Sequence, residues 1–185
     1  MKKLLALVFV LCLLCVSAAS ADVLTSTGEP FVADEFTLAL DAGVYYEVSE
    51  KTAGELYLAV VPYYYETGST ANFTFRFDGG PYTLTAAELD ARREEDIQQV
   101  YDMLAGSSVN IDSLEMTYAV ETTFCGAPCI SRETNMILSA GDTLIPTLSR
   151  EYCIYSKGYT VTLTADDTES LDQMEDLLAA ILIWN

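Results

Sequence analysis

Residues 130–163 read ISRETNMILSAGDTLIPTLSREYCIYSKGYTVTL, and the fold turns on this stretch. Two runs rich in residues that fit a pleated surface, 130–139 and 148–155, are joined through Ala140-Gly141-Asp142, a turn signal. Ser156-Lys157-Gly158 suits a tight turn into Tyr159-Thr160-Val161-Thr162-Leu163, where apolar and hydroxyl side chains alternate. Strands joined by connections this short form an antiparallel meander.

Working outward, Asp166, Asp167 and Thr168 open a last helix, with acidic groups at its N-terminal dipole. Leu171, Met174, Leu177, Leu178, Ile181 and Leu182 form its apolar stripe. Upstream, Leu114, Met116, Tyr118, Val120 and Phe124 keep a period of two, which predicts strand with these side chains on one face. Before that, Thr85-Ala86-Ala87-Glu88 fits a capping box, and Leu89, Ile97, Val100, Tyr101 and Leu104 recur at helical steps until Gly106. Residues 36–40, 44–49, 56–65 and 72–77 read as four more strands, the last with Phe73, Phe75 and Phe77 on one face. The expected class is α+β, an antiparallel sheet with helices packed on its faces in an α/β/α sandwich.

The N-terminal end reads as an export signal. Lys2 and Lys3 precede an apolar run over residues 4–16, and Ala19-Ser20-Ala21 supplies small residues before a cleavage site between Ala21 and Asp22. The run is short for a bilayer span, and Leu14 stands where a lipidated Cys15 needs a small residue, so no lipid anchor is expected. Residues 1–21 are thus a signal peptide, 22–35 a flexible linker, and 36–185 one domain of a secreted or extracytoplasmic protein.

Composition narrows the function. The 185 residues include 28 acidic and 9 basic side chains, five cysteines and no histidine. Without the signal the balance is 28 acidic against 7 basic residues, a formal charge of −21. That excludes nucleic acid and anionic lipid, which need a basic face, as partners. The lack of histidine removes imidazole-based triads and His-ligated zinc. There is no Gly-x-Ser-x-Gly elbow, phosphate loop or His-Glu-x-x-His, and no cofactor is expected. Asp166, Asp167, Glu169 and Asp172 lack the spacing of a calcium loop, and helix capping accounts for the first two.

An opening Phe-x-Leu-x-Leu strand (Phe36, Leu38, Leu40), a central helix, an antiparallel meander and a closing helix with a strand-like tail resemble the PsbP-like superfamily. Gly126-Ala127-Pro128 matches its meander step, and Leu177-Leu178-Ala179-Ala180-Ile181-Leu182-Ile183-Trp184 is similar to its closing helix, with Ala180 in place of the usual serine. The resemblance implies a non-catalytic binding or assembly factor, here one that binds a protein or cell-envelope component. The rival reading is an extracytoplasmic hydrolase with a carboxylate pair, although 28 carboxylates guarantee pairs by chance. A thiol redox site on Cys125-Gly126-Ala127-Pro128-Cys129 departs from the two-residue redox spacing.

Two features mark candidate sites. Tyr63-Tyr64-Tyr65 on a strand turns at least one ring away from the core, and a wet tyrosine is a common contact for a partner. Export also permits a disulfide among Cys125, Cys129 and Cys153. If the hairpin of 130–139 and 148–155 is centred on Gly141, opposed residues sum to 282, and Cys129 faces Cys153. The expectation is that bridge; Cys125–Cys129 and three free thiols stay open, as does a one-residue shift from a bulge at Pro146.

Overall fold

The computed structural model describes residues 30–32, 35–39, 46–49, 57–62 and 71–185, with backbone alone for 31, 46–49, 57–62 and 72. The signal-peptide segment and Tyr63, Tyr64 and Tyr65 lie outside the described residues. In chain order the elements are β1 (Phe31–Val32), β2 (Phe36–Leu38), β3 (Tyr46–Ser49), β4 (Tyr57–Pro62), β5 (Asn72–Phe77), α1 (Ala86–Asp90) and α2 (Arg93–Leu104). They continue with β6 (Asn110–Met116), β7 (Val120–Phe124), β8 (Ala127–Ala140), β9 (Thr143–Ile154), β10 (Tyr159–Ala165), α3 (Thr168–Ile181) and β11 (Leu182–Trp184). The class is α+β, as the sequence patterning predicts.

The main sheet is antiparallel in the order β3-β4-β5-β10-β9-β8-β6, and β7 pairs with the N-terminal half of β8 beside β6. A small sheet, β1-β2-β11, sits apart from it. Phe31 and Val32, inside the stretch expected to be linker, pair with Leu38 and Thr37.

The two faces of the main sheet are covered differently. On one, here face A, Phe73, Phe75, Val161, Leu163 and Tyr152 are buried beneath Leu171, Met174, Leu178 and Ile181 of α3. Phe36 of the small sheet stacks on Phe75 with ring centroids 4.5 Å apart, so that sheet closes the same core. Each large side chain buried there contributes roughly 1.5–3 kcal/mol. Asp167 caps α3, its carboxylate accepting from the Ser170 backbone N–H at 2.7 Å.

On the other, face B, Leu89 of α1 packs with Ile130 and Cys153, and Leu104 of α2 packs with Val109, Met136 and Leu138. The Thr85–Glu88 capping box forms as expected. The helix is broken, however, between Asp90 and Arg93. The Asp90 carboxylate accepts from the Ala119 N–H at 2.7 Å, and Arg93 donates to the Met116 carbonyl at 3.1 Å. These ties pin both sides of the break to residues 116–119. The same residues interrupt the expected strand: β6 ends at Met116, and Tyr118 (65% exposed) and Val120 (59%) face water instead of the core. Tyr101 on α2 is exposed as well.

Candidate functional site

The meander register decides the cysteines. Ala140 opposes Thr143 and Ile130 opposes Cys153, so opposed residues sum to 283 and the loop is the two residues Gly141-Asp142. Gly141, at φ +63°, takes the first position of a primed turn, where a two-residue hairpin favours glycine. One residue of shift exchanges faces. Cys129 lies in the face A core with Phe124 and Tyr152, and Cys153 on face B with Leu89 and Ile130. The expected Cys129–Cys153 bridge is therefore corrected, and all three cysteines are free thiols.

None of the three is poised to react. Burial pushes the Cys125 thiol up to about 11 and, with Cys125 and Glu175 nearby, Cys129 up to about 12. Burial and then Glu151 raise Cys153, although Arg132 and Arg76 lie close by. A nucleophilic cysteine needs the opposite balance.

Face B carries a row of polar groups across four strands. Arg76, Thr160, Cys153 and Ile130 are cross-strand neighbours, and Thr74, Thr162, Glu151 and Arg132 form the next row. The Asp78 carboxylate accepts from Arg76 Nε at 2.6 Å, Thr160 Oγ1 at 2.7 Å and Tyr82 Oη at 3.3 Å. Arg132 donates to Asp96 of α2 at 2.6 Å and to Glu151 at 3.0 Å. Burial opposes the charge on both arginines, but the carboxylates beside them more than offset it and raise both above the ordinary value. On face A, Arg150 ties Glu133 of β8 to Asp172 and Glu175 of α3. At Arg132 and at Arg150 the arginine lies between converging carboxylates and takes up their oxygens. This arrangement holds helices on a sheet.

The distal half of the β8–β9 hairpin is built differently. Leu148 is the last β9 residue packed against the α3 core, and beyond it Asn135, Ile137, Leu144 and Pro146 on face A are exposed. Ile137 opposes Pro146, and Leu144 lies two residues along the same face, so the three apolar side chains form one surface cluster. Sequence reading missed this cluster, because the alternation around Pro146 looks the same on a covered face and an open one.

A second exposed group sits beside β7, where the Arg93 guanidinium lies 4.2 Å from the ring centroid of Tyr118. Among the described residues no group of His, Cys, Asp and Glu is arranged to hold a metal ion. No family model matches the chain, and no curated protein sequence matches it.

Proposed function

We propose that the chain is an exported, non-catalytic binding protein of PsbP-like type that docks a protein or cell-envelope component. The observation that carries this reading is the open sheet face at Ile137, Leu144 and Pro146, an apolar surface left in water on the same face whose proximal part is covered by α3 and the small sheet. Exposed apolar clusters of this kind serve as contact surfaces. The state of the reactive groups supports the same reading: the thiols are raised by burial, and Asp96 and Glu151 are both bonded to Arg132. The α+β order, with a closing helix that runs into the strand tail β11, supports the resemblance.

The test pairs a pull-down from the native envelope fraction with turnover assays. The protein recovered outside the cytoplasm is expected to begin at Asp22, to retain a partner through washing, and to leave common esters, peptides and glycosides intact. Turnover abolished by Asp96→Asn or Glu151→Gln would move the carboxylate hydrolase to the front. A lipid adduct on Cys15 would replace secretion with membrane attachment.

A further inference from the structure

We infer that the open face of the distal hairpin docks an extended protein segment in which apolar side chains are flanked by Lys or Arg. This rests on the binding reading above and names the chemistry of the partner. Leu144 is 63% exposed and Ile137 36%, and Pro146 lies directly across from Ile137. Ser113 of β6 opposes Ile137 on its other side, which widens the surface to three strands without a large side chain to block it.

The rim of this surface is acidic. Asp112, Glu115 and Asp142 are exposed, and none has an ion-pair partner among the described residues. Between residues 105 and 149 the sole basic residue is Arg132, which is engaged on face B by Asp96 and Glu151. An apolar centre with an uncompensated negative rim complements a cationic, apolar segment and repels an anionic lipid surface. A symmetric contact with a second copy would set the acidic rim against itself.

The sheet edge is the poorer site. The register of β6 on β8 shifts between Ile111 and Ser113, so Asp112 bulges from the edge, where its carboxylate accepts from Ser139 Oγ at 2.9 Å. Bulges and edge charges are devices that block strand addition. The face remains.

The probes are two synthetic peptides of equal length, one alternating Lys with Leu and one alternating Lys with Ser, titrated into isotope-labelled protein recovered from the extracytoplasmic fraction. Amide shifts are expected to cluster at Ser113, Asn135, Ile137 and Leu144 with the Lys/Leu peptide. Leu144→Ser combined with Ile137→Ser should weaken binding about tenfold or more, as should Glu115→Lys with Asp142→Lys, with melting temperatures preserved. Val120→Ser and Tyr101→Ser should change nothing. Equal binding of the Lys/Ser peptide, or shifts spread over the whole acidic surface, would overturn the inference. A concentration-dependent dimer in light scattering that Leu144→Ser abolishes would overturn it in favour of a second copy. A photocrosslinker that captures the pull-down partner at Val120 and not at Leu144 would sink this surface and leave the binding reading standing; turnover would sink the reading itself.

Discussion

The two ends of the β8–β9 hairpin share strands, turn chemistry and alternation, yet they are finished in opposite ways. At the proximal end, face A lies under α3 and the small sheet, and face B carries a paired polar layer beside α1. At the distal end, face B is sealed by Leu104 and Val109, and face A is left to water. Length explains the difference. The 14 residues of β8 extend about 46 Å, whereas the 14 residues of α3 reach about 21 Å, so one helix covers roughly half the hairpin. A strand and a helix with equal residue counts cannot match along their length. The uncovered half stays open to solvent.

The contrast predicts a large difference between two truncations. Phe75→Ala, in the covered half, should cost about 3–5 kcal/mol in urea unfolding, through lost burial and the cavity left behind. Leu144→Ala, in the open half, should stay within about 0.5 kcal/mol of the parent. If the two fall together, the distal face is covered in solution and the comparison fails.

Gly158 sharpens the proximal side. It has φ +73°, and a Cβ placed on it would sit 2.3 Å from the Gly80 carbonyl carbon, so Gly158→Ala must displace backbone. A loss of about 1–3 kcal/mol is expected from the strain and the overpacking. Gly141→Ala, at φ +63° but with nothing near its Cβ position, should cost less by the same measurement.

The cap of α3 supplies a pH test. The backbone N–H and hydroxyl of Ser170 hold the Asp167 carboxyl below the usual carboxylate range. A depressed folded pKa means that its stabilisation is present above the unfolded value of about 3.9 and is lost as the pH falls through the folded value. Asp167→Ala should therefore lower stability by about 1 kcal/mol near neutrality. The melting curves of parent and variant should converge in strong acid; a constant gap across the range would contradict this account.

The smallest effect is in thiol labelling. Non-reducing digestion should return three unbridged cysteines. Alkylation of the native protein should reach half-buried Cys125 before the buried Cys129 and Cys153. A peptide that joins Cys129 to Cys153 would mean a register different from the one described.

Much of the fold was legible because local chemistry dictates it. The alternating Phe73, Phe75 and Phe77, the Thr85–Glu88 box and the stripe from Leu171 to Leu182 each depend on neighbours a few residues away. The break after Asp90 was not legible, since it follows from Asp90 and Arg93 gripping residues 116–119 far along the chain. Tyr118 and Val120 keep the same alternation as Met116, but the strand ends between them, and periodicity carries no record of that end. The hairpin register escaped for a narrower reason: Gly141 is compatible with a turn centred on it and with the two-residue Gly141-Asp142 loop, and these differ by one residue.

The sequence by itself determined the meander strands, the Thr85–Glu88 capping box, the extent and cap of α3, and how strongly negative the chain is. These are properties of composition and of contacts within a turn or a pleat. Tertiary structure decided which cysteines share a face, which arginine bonds which carboxylate, and which half of the meander stays open. The first depends on one residue of register in the Gly141-Asp142 turn; the other two depend on how far one element reaches along another, a distance set only when helix and sheet, with unequal rises per residue, pack together.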